Sequence, residues 1–491
     1  MKTGSVVFVG AGPGDPKLLT IRGKEALGRA DVVVYDRLAN PLLLAHVREG
    51  ARLVYCGKEA DRHTLPQEKI NSLLVREAQR GHTVVRLKGG DPSMFGRVGE
   101  EAQVCVAHGV RYEIVPGITS GMAVPLYAGI PLTHREFNSS VAFVTGHLCE
   151  KNSGKEPDWA ALAAVETLVI YMGVKNLPRI KEQLLASGKS PDTPVALVRW
   201  GTLGKQETLT GRLETIDQKV AEAGFKAPAI IVVGEVVRLR DALNWYESKP
   251  LFGQRVAVAA GQAGESALAQ ELERLGAEVW PIPLREQSPA IGASQGLPDD
   301  FAAYPWLVFD GAPQVAAFFR GLAKRRFDVR RLQSNIVACG KQAANALEER
   351  GIFPQFVLEE PTSPAALQRA LPFWGGERVL HVSRNESSVM QIAPGIAIHR
   401  VQAGVVDWDE THPAAEWFAP DSFDWIATDD PDALAPLSRF AGADWRMRRI
   451  LCAGADTIRR AKEMGWSEVV ECAGDGCDLL QAMRGAVHLY S

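Results

Sequence analysis

Val7-Phe8-Val9-Gly10-Ala11-Gly12-Pro13-Gly14-Asp15-Pro16 is the stretch on which the reading of this chain turns. An apolar β-branched run leads straight into three glycines, where the backbone must approach a ligand closely or take positive φ. Asp36, closing the next strand Val32–Tyr35, completes the outline of a dinucleotide fingerprint, in which a glycine turn holds a pyrophosphate and an acid holds a ribose. Two details argue against that guest. G-x-G-x-x-G requires glycine where Asp15 stands, and Pro13 and Pro16 stop the loop from opening directly into a helix whose N-terminus would carry the pyrophosphate. A NAD-dependent oxidoreductase and a purely structural glycine turn remain the competing readings.

Working outward, the runs Val32–Tyr35, Thr83–Leu87, Val141–Thr145, Thr167–Tyr171, Val195–Val198 and Ile230–Val233 read as further strands. Between them Thr20–Ala30, Gln67–Arg80 and Val98–Ala107 carry apolar residues at helical spacing, so the fold class is α/β. A second glycine loop, Arg86-Leu87-Lys88-Gly89-Gly90-Asp91-Pro92-Ser93-Met94-Phe95-Gly96-Arg97, and a third, Val115-Pro116-Gly117-Ile118-Thr119-Ser120-Gly121-Met122, also follow strands. Three such loops after parallel strands converge on the face where α/β sheets bind ligands. Their neutral, partly apolar character suits adenosine and a sulfonium better than a triphosphate, which calls for Gly-Lys-Ser/Thr.

The chain has 491 residues, beyond the size at which one core keeps growing, with 46% hydrophobic and 23% charged residues and a formal net charge of −3. That balance disfavours nucleic acid as a partner. The run Val6–Val9 is too short for a signal peptide, and no later segment approaches a membrane span, so a cytoplasmic protein without membrane attachment is expected. Seven cysteines without paired C-x-x-C spacing fit a reducing compartment and no metal. A seam at Trp245-Tyr246-Glu247-Ser248-Lys249-Pro250-Leu251-Phe252-Gly253 places a boundary near 250. Beyond it Trp306-Leu-Val-Phe-Asp-Gly-Ala-Pro is echoed by Trp425-Ile-Ala-Thr-Asp-Asp-Pro, and Ile336-Val-Ala-Cys-Gly-Lys by Ile450-Leu-Cys-Ala-Gly-Ala, which implies two similar lobes.

The first loop continuing to Thr20, then Ala30-Asp31-Val32-Val33-Val34-Tyr35-Asp36-Arg37-Leu38, Gly57-Lys58, the loop at 86–97, Pro116–Ser120 and Gly129-Ile130-Pro131-Leu132-Thr133-His134-Arg135 occur in order, with Tyr171-Met172-Gly173 and Trp200-Gly201-Thr202 downstream. Together they resemble the uroporphyrinogen-III C-methyltransferase family over residues 1 to about 250. The resemblance implies a tetrapyrrole methyltransferase fold of two α/β subdomains and a homodimer. It implies transfer of two methyl groups from S-adenosylmethionine to uroporphyrinogen III, giving precorrin-2. Asp36 takes the role of base and Lys58 that of proton donor; an Asp capping the turn into Leu38 and a solvated lysine are the plain alternatives. Pro13, Gly89, Gly90, Asp91, Met94, Thr119, Ser120, Met172 and Gly201 are carried over as methyl-donor contacts. Arg97, Glu100, His134 and Arg135 are expected to hold the polycarboxylate substrate, although Arg97 and Glu100 also suit an i,i+3 surface pair. Val98 and Glu59-Ala60-Asp61 depart from the family pattern on the substrate side.

Residues 251–491 resemble uroporphyrinogen-III synthase in layout, with two flavodoxin-like lobes, about 284–400 inserted into 251–283 plus 401–491. Where that family has Thr-Ser after the third strand of a lobe this chain has Asp310-Gly311 and Asp429-Asp430; Ala259-Ala260 replaces Thr-Arg and Ala343 a threonine, while Thr457 is kept. A carboxylate turned toward substrate carboxylates repels them. The expectation is a synthase-shaped domain with reduced, altered or absent activity, the alternative being a fully bifunctional enzyme.

Overall fold

The computed structural model describes residues 4–48, 50–57, 66–146, 157–259, 266–287, 297–358, 378–383, 397–402, 405–409, 412, 415–442, 444–472 and 478–483. Strands β1 (Ser5–Gly10), β2 (Val32–Tyr35), β3 (Arg52–Tyr55), β4 (Thr83–Lys88) and β5 (Arg111–Val115) form a parallel sheet in the order β3-β2-β4-β1-β5. Successive side chains point to opposite faces of a strand, so a sheet covered on both faces needs apolar residues throughout. Val6, Phe8, Val32, Val34 and Val84 pack under helices α2 (Gln67–Gln79) and α3 (Val98–Ala107), following α1 (Ile21–Gly28) in the chain. Val9, Val33, Tyr35, Val85 and Leu87 pack on the opposite side with Ala26 and Leu27 of α1. Each large side chain so buried contributes roughly 1.5–3 kcal/mol.

After α4 (Ser120–Tyr127) a second five-stranded sheet is built from β6 (Val141–Thr145), β7 (Thr167–Tyr171), β8 (Pro194–Arg199), β9 (Glu207–Arg212) and β10 (Ala229–Val233), ordered β6-β7-β10-β8-β9. It is mixed. β6 and β7 run parallel, whereas β10 pairs antiparallel with both β7 and β8, and β9 antiparallel with β8.

Past the seam, β11 (Arg255–Ala259), β12 (Glu278–Pro281), β13 (Leu284–Gln287), β14 (Trp306–Phe309), β15 (Asn335–Cys339), β16 (Phe356–Leu358), β17 (Arg378–Ser383), β18 (Ala397–Gln402), β19 (Val405–Trp408), β20 (Trp425–Thr428), β21 (Arg449–Ala453) and β22 (Glu468–Cys472) follow. They make two parallel five-stranded sheets, β12-β11-β20-β21-β22 and β16-β15-β14-β17-β18, with the antiparallel pair β13-β19 at the two crossings between them. The chain leaves the first of these sheets after β12 and returns at β20, and the echoed motifs at Trp306 and Trp425 open β14 and β20, one in each sheet.

The two halves touch. Leu42 packs into the aromatic cluster of Trp280, Trp417 and Phe418, the Tyr55 ring meets Trp417 edge-on at 6.5 Å, and Lys17 is ion-paired with Glu273.

Candidate active site

Because the first sheet is parallel, every strand delivers its following loop to the same edge. Gly10, Gly90 and Gly117 meet there backbone to backbone. A Cβ on Gly10 would lie 2.5 Å from the Gly117 nitrogen and 2.8 Å from the Gly90 oxygen, and one on Gly117 2.5 Å from the Gly90 oxygen. Only glycine allows this approach. Gly90 N donates to Gly12 O at 2.7 Å and Gly12 N to Gly90 O at 3.2 Å, tying the first loop to the second. Asp91 ties the second to the third: its Oδ2 accepts from Gly117 N at 2.9 Å and its Oδ1 from Ser93 N at 2.7 Å.

Thr202, after β8, closes the cradle from the other sheet, its Oγ1 accepting from Asp15 N at 2.9 Å. Gly201 beside it packs so tightly that a Cβ would stand 2.4 Å from Val124 Cγ1. Buried Thr119 and the Gly121 amide share the Tyr171 hydroxyl at 2.6 and 2.8 Å. Met94 packs on the cluster formed by α4, β7, β8 and β10, whereas Met172 is exposed. Phe95, Arg97, Met172, Trp200 and Thr202 all take positive φ, between 50° and 70°. Such backbone is held only where the surroundings over-determine it, and here it falls on the loops after β4, β7 and β8. Pro13, Gly89, Gly90, Asp91, Met94, Thr119, Ser120, Met172 and Gly201 lie just after β1, β4, β5, β7 and β8. Tyr171 and Thr202 belong to the strings Tyr171-Met172-Gly173 and Trp200-Gly201-Thr202, but the sequence gives them no role of their own. Their signal was only proximity to Met172 and Gly201.

Asp36 leaves β2 at the same edge. Its Oδ1 accepts from Leu38 N at 3.0 Å, and its Oδ2 lies 3.3 Å from Arg86 Nη2, with 26% of the side chain exposed. The turn-capping role and a solvent-reaching carboxylate therefore coexist. A Cβ on Gly89 would lie 2.6 Å from Leu38 Cβ, so the Asp36 turn abuts the second glycine loop. Next to it the buried Cys56 thiol donates to Tyr35 O at 3.1 Å, and burial pushes its pKa up. Lys58 lies outside the described residues, as do Glu59-Ala60-Asp61.

On the substrate side, Arg97 Nε bonds both Glu100 carboxylate oxygens at 3.0 and 3.1 Å, and both side chains are exposed. The hydrogen bond from Arg97, with its charge, holds the Glu100 carboxyl below the usual range. His134 sits in a turn, its amide donating to Asn138 Oδ1 at 2.7 Å and its ring 5.0 Å from Phe137. Among the described residues, no hydrogen bond or ion pair joins His134 or exposed Arg135 to the three glycine loops.

In the second half the two departures from Thr-Ser are engaged internally. Asp310 Oδ1 lies 2.6 Å from Nε2 of fully buried His381, and Asp429 Oδ2 accepts from Ser266 Oγ at 2.8 Å at the start of the helix Ala267–Arg274. Thr457 is buried and donates to Asp429 O at 3.3 Å. No group of three or more His, Cys, Asp or Glu suited to a metal occurs among the described residues, and no helix there is long and apolar enough to cross a membrane.

Residues 5–217 match the family model of tetrapyrrole (corrin/porphyrin) methylases and residues 266–480 that of uroporphyrinogen-III synthase HemD. A uroporphyrinogen-III C-methyltransferase of Bacillus subtilis (strain 168) is 49% identical over 354 residues, 72% of each chain, and another from the same strain is 50% identical over 247 residues, half of this chain and 96% of its own. The uroporphyrin-III C-methyltransferase of Thermus thermophilus, solved with S-adenyl homocysteine, is 43% identical, covers 48% of this chain and 100% of its own, and gives a TM-score of 0.41. The chain belongs to the uroporphyrinogen-III C-methyltransferase family and carries a uroporphyrinogen-III synthase-like second half.

Proposed function

We propose that this chain transfers two methyl groups from S-adenosylmethionine to uroporphyrinogen III, giving precorrin-2, and that residues 1–250 form the methyltransferase domain. The observation that carries the reading is the three-way backbone contact of Gly10, Gly90 and Gly117 with the Asp36 turn packed against Gly89. None of the three loops carries the Gly-Lys-Ser/Thr sequence that a triphosphate calls for, which fits a methyl donor whose sulfonium and adenosine need no phosphate-binding cations. Pro13, Gly89, Gly90, Asp91, Met94, Thr119, Ser120, Met172 and Gly201 would hold it. When bound, the donor supplies an electrophilic methyl group.

Asp36 is the base. A pyrrole carbon that gains a methyl leaves positive charge on its ring, and the partly exposed Asp36 carboxylate accepts the proton whose loss relieves it. Lys58 serves as proton donor. Arg97, Glu100, His134 and Arg135 hold the substrate, which requires the Arg97 guanidinium to exchange Glu100 for a substrate carboxylate. Titration of the full chain with S-adenosylhomocysteine and with NAD tests the reading: binding of the first alone supports it, and binding of NAD alone replaces it with an oxidoreductase.

Residues 251–491 form a synthase-shaped domain with reduced, altered or absent cyclisation, one lobe at about 284–400 being inserted into another made of 251–283 plus 401–491. Asp429 fills the helix start that a substrate carboxylate would otherwise meet. Brisk formation of the type III isomer from hydroxymethylbilane by the full chain, without methyl donor, would refute this. Tyr112 and Ile114 on the edge strand β5 and Met122 and Leu126 on α4 are exposed apolar residues, supporting a homodimer through the first half. Buried thiols at Cys56, Cys105, Cys339, Cys452 and Cys472 support a reducing cytoplasm.

A further inference from the structure

We infer that Arg86 and Glu101 are positioning residues for methyl transfer, forming with Lys88 a buried charge cluster that aims the Asp36 carboxylate. The inference rests on Asp36 as the base.

Arg86 is the hub. It lies on β4 with its side chain 5% exposed, and its Nη1 donates to Val34 O at 3.3 Å and Leu87 O at 3.0 Å, pinning the ends of β2 and β4 together. Its Nη2 reaches Asp36 Oδ2 at 3.3 Å. With Leu38 N on the other carboxylate oxygen, Asp36 is held from two sides. Arg86 Nε makes no hydrogen bond and lies 3.7 Å from Glu101 Oε1. Glu101, on α3, has no exposed side-chain surface; its Oε2 accepts from Lys88 Nζ at 2.9 Å and its Oε1 from Gln67 Nε2 at 2.8 Å. The Cys56 thiol faces the same four charges.

Two cations and two carboxylates make the cluster neutral while Asp36 is ionised. Once Asp36 accepts a proton, the cluster holds one buried positive charge in excess, and buried uncompensated charge is strongly unfavourable. Screening by salt is weak at such depth. The arrangement therefore gives the Asp36 carboxylate a fixed, charge-matched seat for both transfers. Burial depresses the Lys88 ammonium, the neighbouring Arg86 charge adds to this, and Glu101 opposes both. A cluster serving only to hold α3 on β4 would have no reason to extend through Arg86 to a carboxylate at the cleft.

The test uses the full chain with Arg86→Gln, Glu101→Gln, the double variant and Asp36→Asn, reading kcat, KM, the pH profile, S-adenosylhomocysteine affinity and thermal midpoint. Arg86→Gln leaves a net negative cluster, and the acid limb of kcat/KM is expected to move up by about one pH unit, with kcat down about tenfold or more and donor affinity unchanged. Glu101→Gln leaves a net positive cluster and moves that limb the opposite way. The double variant restores neutrality and thermal midpoint but not kcat, because Asp36 has lost its anchor; this arm decides the matter if a single variant folds poorly. Wild-type kcat in the double variant or in Arg86→Gln, beside an inactive Asp36→Asn, overturns the inference. Wild-type turnover in Asp36→Asn instead overturns the assignment of the base.

Discussion

The Tyr171 hydroxyl stands 2.6 Å from Thr119 Oγ1, so the last residue of β7 anchors the third glycine loop of the other sheet. Burial pushes the Tyr171 phenol up from its ordinary value, which keeps the hydroxyl protonated and available to both Thr119 and the Gly121 amide. Tyr171→Phe keeps the ring against Phe95, 5.0 Å away, and removes only that anchor. Leaving a buried amide unpaired costs about 1–3 kcal/mol. Calorimetric titration of the variant is expected to show S-adenosylhomocysteine bound roughly tenfold more weakly.

Gly117→Ala forces a methyl within 2.5 Å of Gly90 O and is expected to abolish donor binding and lower stability. Gly99 is the contrast. It lies inside α3 with nothing within 4 Å of a new Cβ, so Gly99→Ala is expected to stabilise the fold by roughly 0.5–1 kcal/mol through helix propensity. Urea denaturation of both variants checks the pair.

What the sequence conveyed follows from which forces leave local traces. Val32–Tyr35 and Thr167–Tyr171 are strands at those bounds because a strand buried on both faces must be apolar throughout. β3, Arg52-Leu-Val-Tyr55, and β9, Glu-Thr-Leu-Thr-Gly-Arg at 207–212, went unread: each is an edge strand, partly exposed, and needs no such run. The glycine loops were legible because close backbone approach demands glycine. Positive φ at Met172, Trp200 and Thr202 left no mark, since tertiary packing imposes it on ordinary residues. Nor did the link from Asp36 through Arg86 to Glu101, whose members lie 50 and 15 positions apart and meet only when β2, β4 and α3 stack.

Glu77, 1% exposed on α2, pairs with Arg52 at 2.8 Å and Arg80 at 3.2 Å and bonds the His82 ring at 3.2 Å. Burial alone would raise its pKa, but the Arg52 hydrogen bond and charge, with His82 and Arg80, hold it below the ordinary value of 4.5. A carboxyl depressed on folding contributes stability above its unfolded value, and loses it as pH falls through the folded one. Glu77→Gln is thus expected to cost on the order of 1–2 kcal/mol near neutrality, because its cationic partners are about half exposed. The difference from the parent should shrink as pH falls below about 4.5. Denaturation across that pH range measures it, and a difference that grows toward acid would reverse the assigned sign.

The most direct test of the whole account is turnover of uroporphyrinogen III by the full chain and by Asp36→Asn, followed by mass spectrometry of the tetrapyrrole with donor affinity measured in parallel. The parent chain is expected to add two methyl groups, and the variant to bind S-adenosylhomocysteine as tightly while turning over about a hundredfold or more slowly. An unmethylated product from the parent chain, or undiminished turnover by Asp36→Asn, would contradict it.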